Sequence, residues 1–207
     1  MFITFEGIDG SGKSVQSRRL HHRLTKEGVP SLLTREPGGT RLGEAITRWL
    51  KWRRETHISP TTELLLFNTS RAHLVEEVIK PALAQGIAVI CDRFDDSTLA
   101  YQGYGRGLEV DTVAHINRFA TGGLKPDITF LVDIPPALGL KRKPRASADR
   151  FEQEDTAFRN RVRQGYLALA HAEPARWYLL DGSRSRTELA EIIWGKVNHI
   201  LSSRRAT

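Results

Sequence analysis

Residues 7–14 read Gly-Ile-Asp-Gly-Ser-Gly-Lys-Ser, with Gly7, Gly12, Lys13 and Ser14 at the spacing of a phosphate cradle. Glycines let the backbone curl until successive N–H groups face one centre, where an anion can sit. The loop Gly7, Ile8, Asp9, Gly10, Ser11, Gly12, Lys13, Ser14 is therefore expected to bind a nucleoside triphosphate. Lys13 brings a cation to the outer phosphates, and the Ser14 hydroxyl can ligate Mg²⁺. Asp9 is an acid inside the loop, where the cradle itself needs none.

Further reactive residues stand at intervals along the chain. Arg35-Glu36-Pro37-Gly38-Gly39-Thr40 is a charged pair entering a tight turn. It is either only a turn, or a place where Arg35 faces phosphate and Glu36 a metal-bound water. Asp92 can orient Mg²⁺ and its waters, and Arg93 can grip a second phosphate with its planar fork. The bland alternative is an Asp–Arg surface pair. Phe67 and Arg71 are four apart and share a face if helical. They suit a base stacked on the ring and hydrogen-bonded at its edge. Spacing alone equally allows a core phenylalanine beside a solvent-facing arginine. Tyr101-Gln102-Gly103, followed by Gly105-Arg106-Gly107, reads as a glycine-rich turn that can line a small pocket. The stretch 141–154 is too polar for core, and its charge changes sign halfway. It reads as a flap over phosphates or as a solvated charge run.

The elements that must hold these residues alternate. Short apolar strands are expected at Phe2–Phe5, Ser31–Thr34, Ile87–Cys91, Ile128–Asp133 and Trp177–Leu180. Helical patterns lie between them at Ser14–Lys26, Arg41–Arg53, Thr61–Gln85 and Val110–Thr121. A broken stretch at Pro136–Ala170 and a last helix at Arg186–Ser203 follow, with the final six residues expected to fray. Strands apolar on both faces imply a parallel sheet covered on both sides. The fold expected is α/β in three layers, with five parallel strands and a small lid over residues 141–154, as one domain spanning 1–207. Ligands in such sheets sit beyond the carboxyl ends of the strands, where the reactive residues fall.

Composition narrows the classes. The 207 residues are 40% hydrophobic and 27% charged, as in an ordinary globular domain. The single cysteine, Cys91, excludes an internal disulfide and a cysteine-based metal site, and it sits in an apolar run as core. Apolar runs are too short to span a bilayer, and the immediate strand leaves no room for a signal peptide. A cytoplasmic location is expected. The net charge of +7 suits nucleotides as well as nucleic acid. Apart from Lys141, Arg142, Lys143 and Arg145 the basic residues are dispersed, which speaks against a nucleic-acid-binding ATPase.

Taken in order, these motifs resemble the thymidylate kinase family of nucleoside monophosphate kinases across nearly the whole chain. The resemblance is carried by Phe-Glu-Gly-Ile-Asp-Gly-Ser-Gly-Lys-Ser from Phe5, Arg-Glu-Pro-Gly-Gly from Arg35 and Glu-Leu-Leu-Leu-Phe from Glu63. It continues in Pro-Ala-Leu-Ala-Gln-Gly from Pro81, Asp-Arg-Phe at Asp92, Ala-Tyr-Gln-Gly at Ala100 and Asp-Arg-Phe-Glu at Asp149. It implies transfer of the γ-phosphoryl group of Mg-ATP to dTMP, giving dTDP on the route to dTTP, by a homodimer. It further implies that Phe67 stacks on thymine, Arg71 bonds a base carbonyl, and Ser97, Thr98 and Gln102 surround the thymine edge. Asp9 would accept from the sugar 3′-hydroxyl, Tyr101 would lie under the sugar, and Arg93 would grip the acceptor phosphate. Glu36 would lie near the metal and phosphates, with a cis bond to Pro37. The metal ligands would be Ser14 and Asp92. Gly10 stands where some members carry a catalytic arginine, so Arg142, Lys143, Arg145 and Arg150 of the lid are expected to take over, as in bacterial members. Arg145 and Arg150, with Lys13 and Arg93, would neutralise the transferring group. One such arginine can be worth roughly a thousandfold or more. Val15 and Thr47 depart from the family's usual hydroxyl residue and arginine, and the lid is about one residue shorter. A deoxynucleoside kinase is the nearest rival, but it would have no use for Arg93 as a phosphate clamp.

Overall fold

The computed structural model describes residues 1–52, 58–142, 149–151 and 153–205, and the side chains of all of these but Trp52, Arg204 and Arg205. Strand β1 (Phe2–Glu6) runs through the middle of the sheet and is buried along its whole length. Its side chains alternate between two cores, as a pleated strand requires. Ile3 and Phe5 pack with Leu20 and Leu24 of α1 (Lys13–Lys26) and with Ile193 and Val197 of α9 (Arg186–Arg205). Phe2 packs on the opposite face with Leu74 and Phe94. Burying each such side chain contributes about 1.5–3 kcal/mol. Glu6, in phase with Phe2, therefore faces the second side, beneath the reactive residues.

Among the described residues the sheet has five strands in the order β2-β3-β1-β4-β5. The others are β2 (Ser31–Arg35), β3 (Ala88–Asp92), β4 (Ile128–Asp133) and β5 (Trp177–Asp181), and every pairing is parallel. All five carboxyl ends thus lie at one edge. Each ends on a charged residue: Glu6, Arg35, Asp92, Asp133 and Asp181. The outer strands β2 and β5 are less buried than expected, because each has a neighbour on one side only.

Helix α2 (Arg41–Trp52) packs on α3 (Pro60–Leu74), which also packs on α6 (Val110–Thr121). The long helix expected at Thr61–Gln85 is present. It begins at Pro60, behind the Ser59 cap on Thr62 N, widens into a π-helical turn at Val75–Ile79, and ends in α4 (Lys80–Ala84). Two expectations are overturned. The glycine-rich segment at Tyr101 is not a turn but helical: α5 (Asp95–Thr98) continues as π-helical turns over Leu99–Gly105. Gly105 is there for close packing, since a Cβ on it would lie 2.8 Å from the Phe158 ring of α8 (Thr156–Ala172). The broken stretch resolves into α7 (Pro136–Arg142) and α8, and the C-terminal segment expected to fray is helical through Arg205.

Candidate active site

The phosphate loop joins β1 to α1. Gly12 caps the helix in the left-handed region, and the first turn leaves the amides of Lys13 and Ser14 without intrahelical partners. Gly10 has φ +80°, and a Cβ there would lie 2.4 Å from the Gly139 carbonyl of α7. No side chain fits at Gly10, so an arginine has no place in this loop. The Lys13 ammonium lies 3.6 Å from Asp9 Oδ1 and 3.5 Å from the Ile8 carbonyl. Asp92 ends β3, paired in register with Phe5, and its Oδ1 is buried without a hydrogen-bond partner. A hard cation that keeps most of its waters needs only one or two protein oxygens, so Ser14 and Asp92 fit Mg²⁺.

Beside the loop opens a cleft of about 460 Å³, its mouth included, lined by Asp9, Glu36, Phe67, Arg71, Arg93, Ser97, Thr98, Tyr101 and Gln102. These are the nine residues that the sequence assigned to the acceptor. Pro37, Lys51, Phe94, Asp149 and Phe151 complete the lining, and the sequence had given them no part in the acceptor site. Phe151 covers the aromatic wall, with its ring centroid 5.6 Å from that of Phe67 and 6.2 Å from that of Tyr101.

Arg71 is 1% exposed and forms the floor. Its Nε donates to Glu36 Oε2 at 2.8 Å, Nη1 to Asn68 and Asn117, and Nη2 to Thr98 Oγ1 and the Phe94 carbonyl. All five donors are engaged within the chain, so a base carbonyl is met only by sharing the longer bonds, 3.3 Å to Asn68 or 3.2 Å to Phe94. Glu36 precedes the cis peptide bond to Pro37, and it turns into the cleft toward Arg71. Burial pushes its carboxyl up, Arg71 pulls it back, and its Oε1 is buried without a partner. Arg93 has φ +73° and aims Nη2 at Asp9 Oδ1 (2.8 Å) and Tyr101 Oη (3.1 Å).

Several of the expected site residues have partners within the chain. Arg150 is one of them. Its Nη2 donates to Glu63 Oε2 at 2.7 Å, because Glu63, 1% exposed on α3, is a buried carboxylate that must gather donors. Gln102 Nε2 and Arg106 donate to the same carboxylate. Asp149 pairs with Lys51 at 3.1 Å, which ties it to the end of α2. Arg142 donates to the Gly182 carbonyl and so braces α7 against the loop after β5. Arg35 pairs with Glu44 at 2.8 Å, away from the cleft. Lys143 and Arg145 lie outside the described residues.

The thymidylate kinase family model matches residues 5–193. The chain belongs to the thymidylate kinase family. It is thus a transferase, a kinase of nucleotide biosynthesis. Among its relatives, a thymidylate kinase of Dehalococcoides mccartyi is 55% identical over 201 residues, covering 97% of each chain. One of Deinococcus radiodurans is 49% identical over 199 residues, covering 96% of each. The crystal structure of thymidylate kinase from Ehrlichia chaffeensis superposes with a TM-score of 0.75 at 36% identity, covering 93% of this chain and 98% of that one. In this member of the thymidylate kinase family, Thr47 does not line the cleft. It is buried, and its hydroxyl donates to the Gly43 carbonyl at 2.7 Å. Lys51, one turn further along α2, lines the cleft instead.

Glu6, Glu63 and Tyr166 are parts of the site that sequence reasoning passed over. An acid closing an otherwise apolar strand, at Glu6, and an acid in the first turn of an apolar helix, at Glu63, were the available signals. Tyr166 carried none.

Proposed function

We propose that the enzyme transfers the γ-phosphoryl group of Mg-ATP to the phosphate of dTMP, in line, giving dTDP for dTTP biosynthesis. The observation that carries this reading is the cleft itself. One wall is aromatic, the floor is a buried guanidinium, and Arg93 stands between the cleft and Asp9 of the phosphate loop. Phe67 stacks the base, and Tyr101 packs beneath the sugar. Arg93 exchanges Asp9 for the acceptor phosphate, while Asp9 takes the 3′-hydroxyl. The acceptor is already an anion, so no protein nucleophile is needed, and the chain's work is positioning and charge neutralisation. Lys13 and the loop amides hold the donor's outer phosphates. Mg²⁺, held by Ser14 and Asp92, would supply charge screening between donor oxygens. Closure of the lid over Phe67 and Tyr101 excludes water and so limits hydrolysis.

A homodimer belongs to the same reading. Helices α2, α3 and α6 pack side by side and carry the exposed residues Leu42, Trp49, Leu65 and Phe119. Among the described residues no helix is long and apolar enough to cross a membrane, and the proposed location is the cytoplasm. The test is ADP release from Mg-ATP with dTMP, dUMP, thymidine, dCMP and dGMP offered separately. Turnover on dTMP that collapses in Arg93→Ala supports the reading. Turnover on thymidine but not dTMP would overturn it.

A further inference from the structure

We propose that Glu6 and Tyr166 are positioning residues for Arg93, holding its guanidinium through a layer of two hydroxyls so that its charge stays available to the acceptor phosphate. This rests on the acceptor reading above and deepens it.

Glu6 is fully buried at the end of the central strand. Its Oε1 accepts from Phe94 N (2.8 Å), and its Oε2 accepts from Ser97 Oγ (2.6 Å) and Tyr166 Oη (2.9 Å). None of these donors is a cation, which is unusual for a carboxylate out of water. The cation stands one layer further out. Arg93 Nη1 donates to the same two hydroxyls, at 3.1 Å to Ser97 and 2.9 Å to Tyr166.

Ser97 Oγ and Tyr166 Oη also lie 2.8 Å apart, so the two hydroxyls form one connected layer between the carboxylate and the guanidinium. Above about pH 7, where Glu6 is ionised, its carboxylate only accepts and draws both hydroxyl protons toward it. Each hydroxyl oxygen then presents its lone pairs to one of the two Nη1 hydrogens. The carboxylate thereby sets the polarity of the layer and, through it, the plane of the fork. Glu6 also holds the backbone. Arg93 sits in the left-handed region, costly for a residue with a side chain. Its amide is held by the Phe5 carbonyl at 3.0 Å, and the next amide, Phe94, is held by Glu6 itself. A direct Glu6–Arg93 pair would fix the fork but neutralise it. The intervening hydroxyls orient it from one side, and on the other side Nη2 pairs with Asp9 until the acceptor phosphate takes that place.

The discriminating variant is Glu6→Gln. The amide donates where the carboxylate accepted, so the hydroxyl protons lose their common target and the fork loses its plane. Tyr166→Phe removes half of the layer and serves as a second, independent variant. Calorimetric titration with dTMP and with thymidine separates phosphate from base and sugar. We expect Glu6→Gln to weaken dTMP by roughly tenfold and Tyr166→Phe by somewhat less. Thymidine and ATP affinities should stay within about twofold, and Glu6→Gln should add nothing once Arg93 is alanine. An unchanged dTMP affinity, or equal losses for dTMP and thymidine, would overturn the proposal, the latter by showing a merely structural role. If the wild type itself did not prefer dTMP to thymidine, the acceptor reading would fall and this proposal with it.

Discussion

Replacing Arg71 by methionine should be among the most damaging single changes in the protein, and for a reason separable from catalysis. The guanidinium is 1% exposed, and its Nε pairs with Glu36, whose side chain is 3% exposed. Removing one partner of a buried pair typically costs about 3–5 kcal/mol, because the other charge is left without compensation. For a chain of this size that corresponds to a fall in Tm of roughly 6–20 °C. Glu36→Gln alone should cost less, since the amide oxygen can still accept from Nε. In Arg71→Met/Glu36→Gln no buried charge is stranded. The double variant should recover at least about 1.5 kcal/mol relative to the sum of the singles. Urea unfolding of the wild type and all three variants measures this, and dTMP turnover is read in parallel. Stability should return in the double variant while dTMP turnover does not. If Arg71→Met lies within about 1 kcal/mol of wild type, or the two changes simply add, the floor is not built as described.

The pH dependence of stability follows from Glu6. Burial raises its carboxyl from 4.5 to about 7, with Arg93 opposing. The folded state therefore holds a proton that the unfolded state has lost, and stability falls as pH rises between these values. Relative to Glu6→Gln, the wild type should lose about 3 kcal/mol between pH 4.5 and pH 8, and denaturant curves that stay parallel would contradict this. Arg150→Ala should act on the acceptor pocket through Glu63, raising the KM for dTMP several-fold with kcat changed less than about tenfold. A kcat loss near a thousandfold at unchanged KM would return Arg150 to the transferring phosphoryl group, where the sequence had put it.

What could be read before the structure was local. The phosphate loop, the Phe67–Arg71 pair and the strand-end Asp92-Arg93 each lie within a few residues, and strand or helix periodicity places their side chains. Glu6, Ser97 and Tyr166 meet across 160 positions of sequence, and nothing near any of them announces the meeting. Gly105 misled for a physical reason. A glycine that admits a neighbouring helix looks in sequence like a glycine that turns the chain, and only α8 packing against the segment tells them apart. The charge pattern around Arg150 likewise does not reveal its pairing with Glu63, a buried acid on α3.

The most direct test of the account is label transfer. Mg-ATP labelled at the γ-phosphate is incubated with enzyme and dTMP, and the nucleotides are separated. The account predicts labelled dTDP formed one-for-one with ADP, and lost in Arg93→Ala. Label released only as inorganic phosphate, or carried onto thymidine rather than dTMP, would contradict it.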